Sequence, residues 1–252
     1  MDKFNTLSEK ETLRYSRHLL LSEVGLEGQL ALKNSTVAVV GAGGLGSPAL
    51  LYLAAAGVGT LILIDEDSVE LSNLQRQVLY KINHLGQSKV NAAGKVLKSL
   101  NNQIEITTYP QKLDDTNSDL LLQNADIILD CSDNFATRYT VNRYCIHTRT
   151  RLVSGAALAT SGQLMGFDFT QPQSPCYGCL FARSETPPVM NCSNAGVISP
   201  LLGIIGSMQA QLTLNFLLGH VSGNMFLTFD GLSLKQQHFN VVKDPCCKEC
   251  TC

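Results

Sequence analysis

Residues 41–46 are the feature that most constrains how this chain can fold. They read Gly-Ala-Gly-Gly-Leu-Gly and lie between a short apolar run at 35–40 and a longer apolar stretch at 45–56. The short run predicts a buried strand, and the longer stretch predicts a helix. Glycines between a strand and a helix allow a tight turn and let the backbone approach a phosphate group. We therefore predict a nucleotide-binding loop whose glycines are Gly41, Gly43, Gly44 and Gly46.

Farther along the chain, apolar runs continue to alternate with helical patterns. Short apolar runs occupy residues 60–64, 104–109 and 127–129, and another begins at 152. The segments between them are expected to be helical at 89–100, 113–122 and 134–148. Continuous apolar strands that alternate with helices predict a parallel sheet covered on both faces.

The pattern changes after residue 157. Residues 163–168 alternate in polarity, as a half-exposed strand does, and two later strands are expected at 224–229 and 237–242. These strands are expected to extend the sheet in antiparallel fashion. The predicted fold class is therefore α/β, with a Rossmann-like, mostly parallel sheet. No repeat or linker interrupts the sequence, so we expect a single domain over 1–252, with a nucleotide-binding half at 1–157 and a second half at 158–252.

Composition narrows the function classes. The 252-residue chain has a formal net charge of -2, which gives no electrostatic basis for binding nucleic acid or an anionic membrane. Polar residues interrupt the apolar stretch at 197–218, so it predicts a buried helix instead of a membrane span. Residues 1–17 lack the apolar core of a signal peptide. We expect a cytoplasmic protein without nucleic-acid or membrane partners.

A carboxylate marks the end of the second predicted strand. Asp65 lies 19 residues beyond Gly46, where a carboxylate can accept hydrogen bonds from the ribose hydroxyls of a nucleotide. NAD, FAD and ATP all use this geometry. A triphosphate that is attacked at its α-phosphorus differs from a dinucleotide because it develops charge that calls for cations and a metal. Arg76, Lys89 and Asp133 supply such groups, so the pattern favours ATP.

Several motifs together resemble the ThiF/MoeB/HesA family, the bacterial relatives of ubiquitin-activating enzymes. The resemblance covers nearly the whole chain. The residues that carry it are 14–17 (RYSR), 41–46 (GAGGLG), 71–77 (LSNLQRQ), 130–134 (DCSDN), 192–197 (CSNAGV) and two C-x-x-C pairs.

The resemblance implies an adenylyltransferase. In such enzymes, ATP and the C-terminal glycine carboxylate of a small ubiquitin-like sulfur carrier, which ends in Gly-Gly, form an acyl-adenylate and pyrophosphate. A persulfide source then opens the adenylate to a thiocarboxylate. By the same resemblance, Asp65 binds ribose, Asp133 with Asn134 beside it is associated with magnesium, and Arg17 reaches into a partner subunit, which implies a homodimer. The residues matched to phosphate binding are Ser72, Asn73, Leu74, Gln75, Arg76 and Lys89.

The cysteine spacing predicts a structural metal site. Two C-x-x-C pairs suit a closed tetrahedral zinc site that pins the C-terminal tail to an earlier loop, with redox chemistry or coincidence as alternatives. The four predicted ligands are Cys176, Cys179, Cys247 and Cys250. The tail also holds Cys246 and Cys252, so a shifted register through Cys246 is open.

Cys192 stands apart from these pairs. It lies close to the start of the long predicted helix, where a thiol pKa can fall. The matching cysteine forms a covalent link during sulfur transfer in some members of the family and is dispensable in others. A sulfur-transfer thiol and a structural thiol are therefore both open, and neither reading gives Cys192 a part in adenylation.

Two pathways and two other function classes compete at this stage. Residues 154–157 look more like the molybdopterin branch of the family, and 185–192 more like the thiamine branch, which tips the expectation slightly towards thiamine. An NAD-dependent oxidoreductase explains the glycine loop and Asp65 but leaves Arg76, Lys89 and the cysteine pairs without a role. A non-catalytic binder of a ubiquitin-like partner is the remaining alternative.

Overall fold

The computed structural model describes residues 4–182 and 196–251. Eight strands form one sheet in the order β3-β2-β1-β4-β5-β6-β7-β8. The strands are β1 Thr36–Val40, β2 Thr60–Ile64, β3 Glu105–Tyr109, β4 Ile127–Asp130, β5 Arg151–Leu158, β6 Ser161–Phe167, β7 Met225–Asp230 and β8 Lys235–Phe239.

The sheet has a parallel part and an antiparallel part. Strands β1 to β5 pair in parallel, whereas β6, β7 and β8 join in antiparallel pairs. The predicted fold class, a mostly parallel sheet extended by antiparallel strands, is confirmed. Its basis is the continuous apolar character of the inner strands, which can be buried only when helices cover both faces.

The helices pack on both faces of this sheet. They are α1 Glu9–Arg14, α2 Ser16–Leu19, α3 Gly25–Lys33, α4 Gly46–Ala56, α5 Lys89–Leu100, α6 Ser118–Leu122, α7 Phe135–Thr148, α8 Tyr177–Leu180 and α9 Ser199–Leu217, with short 3-10 helices at Leu71–Asn73 and Ile82–His84. Among the described residues, no helix has the length and apolar character needed to cross a membrane.

Alternate residues of each inner strand point into different cores. Val37 and Val39 of β1 pack with helices α4, α5 and α9, whereas Ala38 and Val40 pack with α6, α7 and α8. Side chains of a strand alternate between its two faces, so one run of apolar residues builds both layers. The resulting three-layer arrangement leaves the ends of the strands as the surface on which a site can form.

One local prediction is wrong. The helix expected over 113–122 begins only at Ser118, because the Asp114 side chain accepts a bond from the backbone N–H of Thr116 and the Asn117 side chain accepts one from the N–H of Asp114. Such local bonds compete with helix formation. Ser88 precedes α5; its side chain makes no capping bond, and its backbone bridges to Ser68.

Candidate nucleotide-binding site

The expected loop and carboxylate meet at the carboxyl ends of β1, β2 and β4. Val40 pairs with Ile64 on one side and with Asp130 on the other. The residues that follow these strands therefore emerge side by side. The strand order reverses between β1 and β4, and an open α/β sheet binds ligands at such a switch point.

The glycine loop is closely packed against its surroundings. Gly41 has a φ of 95°, and a side-chain Cβ there would lie 2.7 Å from the carbonyl oxygen of Cys131. A Cβ on Gly46 would overlap the carbonyl oxygen of Gly41. Both positions require glycine, the first for its backbone conformation and the second for lack of space.

This packing predicts the effect of a single methyl group. Gly46→Ala should lower the free energy of unfolding by about 1–3 kcal/mol, because the backbone of the loop must move to admit the Cβ. Urea denaturation would measure the change. Gly203→Ala in α9 is the matched control, since nothing lies within 4 Å of its Cβ position and alanine favours a helix. Equal stabilities for the two variants would contradict the assigned packing.

Asp65 holds the loop through two backbone bonds. Its Oδ2 accepts a bond of 2.7 Å from the N–H of Ala42, and its Oδ1 accepts one of 2.8 Å from the N–H of Asp67. The Tyr80 hydroxyl donates to the Ala42 carbonyl at 2.7 Å. Burial raises the pKa of Asp65 above its ordinary value, against the opposing charge of Lys89. The predicted ribose-binding carboxylate thus also shapes the loop.

Lys89 begins helix α5 and points a buried ammonium towards the same edge. Its side chain is 6% exposed, and its Nζ lies 2.7 Å from Oδ2 of Asp67. A cation at a helix N-terminus opposes the helix dipole, so its place there needs a compensating anion. Asp67 supplies one, and a nucleotide phosphate bound at this edge would supply another.

The segment after Asp65 turns back towards the loop. Asn73 is buried, and its side chain accepts a bond from the N–H of Glu70. The Arg76 guanidinium donates to the Ser72 carbonyl at 3.0 Å. Leu74 packs against the larger hydrophobic core, and Gln75 is exposed. Phosphate contacts for Ser72, Asn73, Leu74, Gln75 and Arg76 stay a prediction.

Asp133 and Asn134 follow β4 and have different surroundings. The Asp133 side chain is exposed, and in residues 4–182 and 196–251 no hydrogen bond or ion pair engages it. A carboxylate in these surroundings suits a cation that prefers oxygen ligands, such as magnesium. The Asn134 side chain instead accepts a bond of 2.9 Å from the N–H of Thr137 and caps helix α7.

A buried polar network supports the turn before Asp133. Asp130 accepts bonds from the Ser132 hydroxyl and the Ser154 hydroxyl, and its carboxylate lies 3.3 Å from Nη1 of Arg138. Arg138 also donates to the carbonyls of Ser132 and Gly155. Arg138 and Ser154 were not predicted as site residues. Arg138 lies in a helix that also holds Asn142, Arg143 and His147, so its neighbours in the sequence do not mark it as buried.

The four cysteines of the two C-x-x-C pairs come together. Their sulfur atoms all lie within 4.8 Å of one another, and the measured Sγ–Sγ distances are 3.7 Å for Cys176–Cys247, 3.8 Å for Cys176–Cys179 and 3.5 Å for Cys179–Cys250. These atoms can hold a metal ion. Cys246 is exposed and lies outside the group, whose two members from the tail are Cys247 and Cys250. The choice of Cys247 over Cys246 as a metal ligand stays a prediction.

Three other residues were singled out in the sequence, namely Arg17, Cys192 and Cys252. Arg17 is exposed on α2, and its contact with a partner subunit stays a prediction. Cys192 and Cys252 lie outside the described residues. Cys131 and Cys145 are buried, and burial raises the pKa of both thiols.

The fold and the groups at these strand ends define an α/β protein with a Rossmann-like sheet and an appended cysteine cluster. The chain belongs to the ThiF family, whose profile matches residues 15–251. The expected family is confirmed.

Relatives in this family carry a common name. The adenylyltransferase and sulfurtransferase MOCS3 of Aedes aegypti is 46% identical over 231 residues, which cover 90% of this chain and 52% of the relative. MOCS3 of Drosophila virilis is 43% identical over 254 residues, 99% of this chain and 56% of the relative. The chain therefore spans about half the length of the curated relatives it matches.

Solved structures share the fold. The E. coli MccB structure with ATP has a TM-score of 0.79 at 24% identity, covering 99% of this chain and 76% of MccB. The PaaA structure has a TM-score of 0.79 at 22% identity, covering 96% and 76%. At these identities the likeness shows the fold alone.

Proposed function

We propose that this protein is an ATP-dependent adenylyltransferase that activates the C-terminal carboxylate of a small ubiquitin-like sulfur carrier. The observation that carries the proposal is the meeting of Asp65, Lys89 and the glycine loop at one edge of the sheet. The family membership and the name of the MOCS3 relatives support the same activity.

The chemistry follows from the charges at this edge. An oxygen of the carrier carboxylate forms a bond to the α-phosphorus of ATP as the bond to pyrophosphate breaks. The carboxylate is already ionised at neutral pH, so no general base is needed, and alignment with charge stabilisation is enough. Asp65 holds the ribose, and Lys89 and Arg76 stabilise the charge on the phosphates. Magnesium held by Asp133, when bound, adds charge stabilisation on pyrophosphate.

The metal of the cysteine cluster is proposed to be zinc. Zinc–sulfur bonds of about 2.3 Å in a regular tetrahedron place the sulfur atoms about 3.8 Å apart. The three measured distances, from 3.5 to 3.8 Å, fit this geometry. Four sulfur ligands close the coordination shell, so the proposed role is structural.

The carrier is proposed to belong to the molybdopterin branch. The name MOCS3 of the relatives points there and does not support the slight preference for thiamine drawn from residues 185–192, all of which lie outside the described residues. A persulfide source as sulfur donor, a homodimer and a cytoplasmic location complete the proposal. Sulfur transfer through Cys192 is a separate step that adenylation does not require.

ATP–pyrophosphate exchange tests the proposal. The protein would be assayed with a molybdopterin-type carrier and, separately, with a thiamine-type carrier, each ending in Gly-Gly. Exchange with the first alone is the expected result, and exchange with the second alone would reassign the pathway. Folded, metal-loaded protein that is silent with both would reject the activity and favour a non-catalytic binder. Turnover of a nicotinamide cofactor, followed by its absorbance, would favour the oxidoreductase alternative.

The raised pKa of Asp65 predicts how ATP binding depends on pH. Burial raises the pKa of this carboxyl, so on acidification it is protonated at a higher pH than an ordinary aspartate. Protonation removes acceptor capacity, so ATP affinity should fall as the pH drops through that raised pKa. Asp65→Asn should bind ATP at least about tenfold more weakly at neutral pH, since a bond to a charged acceptor is lost. Calorimetric titration across the acid range would check both expectations. If the ATP affinity of Asp65→Asn fell with pH in the same way as that of the wild type, the assignment would be contradicted.

A further inference from the structure

One face of helix α9 contacts both the glycine loop and the turn that follows β4. Leu202, Gly206 and Gln209 lie four and three residues apart and therefore share a face. The Leu202 side chain packs on Gly44, where a Cβ would lie 2.7 Å from its Cδ1. Gly206 packs against the carbonyl oxygen of Leu45, too closely for any side chain. The third residue, Gln209, reaches the turn that follows β4.

Gln209 is fully buried and uses both polar atoms of its side chain on that turn. Its Nε2 donates to the Asp130 carbonyl at 3.0 Å, and its Oε1 accepts a bond of 3.6 Å from the Cys131 thiol. Its amide fills the space beside Gly155, where a Cβ would overlap it. A buried amide with all these contacts can occupy only one place.

The contacts of Gln209 set the start of a turn whose end carries Asp133. Asp130 and Ser132 are held by Arg138, so residues 130–132 form a rigid unit. The Asp133 side chain has no bond of its own to another described residue, so its position depends on that unit. A displacement of about 1 Å of a group that aligns a reaction can cost about 100-fold in rate.

We infer that Gln209 is a positioning residue for Asp133, placing its carboxylate for the magnesium that accompanies ATP. The inference rests on the proposed function, because that function is what requires a magnesium–nucleotide complex. It assigns to the second half of the chain a part in building the nucleotide site of the first half.

The test compares two variants of the same helix. Gln209→Met keeps the length of the side chain and removes both polar contacts. Gln211→Met makes the same change at an exposed residue whose side chain bonds to Asn215 of the same helix. Calorimetric titration would measure ATP affinity with and without magnesium, in the absence of any carrier.

We expect magnesium to strengthen ATP binding in the wild type and in Gln211→Met. In Gln209→Met the ratio of the ATP affinity with magnesium to the affinity without it should be about tenfold smaller, which corresponds to 1.4 kcal/mol. The affinity for magnesium-free ATP should stay unchanged. A merely structural residue would lower the melting temperature and leave the magnesium-dependent gain intact, and that result would overturn the inference. So would a wild type whose ATP affinity does not respond to magnesium.

A second variant tests the inference if Gln209→Met does not fold. Cys131→Ala removes one of the two polar contacts of the Gln209 side chain, so a smaller loss of the magnesium-dependent gain is expected, and no loss would overturn the inference. The exchange assay separates this result from the proposed function. A wild type that binds magnesium–ATP more tightly than ATP but exchanges no pyrophosphate with either carrier would reject the activity and leave the role of Gln209 standing.

Discussion

Replacing Lys89 by methionine should lower the rate of ATP–pyrophosphate exchange by about 100- to 1,000-fold, the usual effect of removing one group that stabilises charge in a transition state. The ammonium is buried at the edge of the sheet that carries the glycine loop, where water screens it little. Methionine retains most of the length of the lysine side chain, so the packing of α5 should survive. Its partner Asp67 is 61% exposed and stays hydrated when the pair is broken.

Lys95→Met is the matched control for this experiment. Lys95 lies on the same helix but is exposed to solvent. Its variant should exchange pyrophosphate at the wild-type rate. Both variants should give the melting curve of the wild type within a few degrees, which would assign the loss of activity to the missing charge. A folded Lys89→Met protein with full activity would contradict the site.

The second large effect is expected from the cysteine cluster. Cys179→Ser should lower the bound zinc, measured by elemental analysis, and lower the free energy of unfolding by more than about 3 kcal/mol. Loss of a metal is one of the few single changes that exceed the usual range of about 0.5–3 kcal/mol. The sulfur of Cys179 lies 3.8 Å from that of Cys176 and 3.5 Å from that of Cys250. It also accepts a hydrogen bond from the N–H of Asp244. A serine oxygen is a poorer ligand in a site of this kind.

Cys246→Ser provides the comparison. This residue neighbours the ligand Cys247 in the chain, but it is exposed and outside the cluster. Its variant should keep both the zinc content and the stability of the wild type. If the two variants bind equal amounts of zinc, the assignment of the four ligands is wrong.

The parallel core could be predicted from sequence because its signal is local. Apolar runs such as 60–64 and 127–129 can be buried on both faces only in a covered parallel sheet, and the strands observed there match them closely. The grouping of the four cysteines was predictable for a similar reason. Each pair fixes its own local spacing, and soft ligands in that spacing suit few other structures.

The missed features depend on contacts between distant segments. Arg138 and Gln209 look like ordinary polar positions of a helix, and only the tertiary structure shows that both are buried against the turn after β4. Asn134 could be matched to a nucleotide site by motif, yet its observed bond caps α7. The length of helix α6 was overestimated because side-chain bonds of Asp114 and Asn117 compete with helix formation. The free-energy difference between these bonds and a longer helix is too small to be read from a sequence pattern.

The bonds that hold the glycine loop have a consequence for affinity. Asp65, Tyr80 and the β2 backbone fix Ala42 and Gly41 through the protein's own groups. Fixing a backbone costs roughly 1–2 kcal/mol per residue, and here folding meets that cost. For the proposed activity, a nucleotide would meet a loop that is already ordered, so its binding energy would not be consumed in ordering that loop. More of that energy is left for contacts that form only as the phosphorus is attacked, which is where it accelerates a reaction.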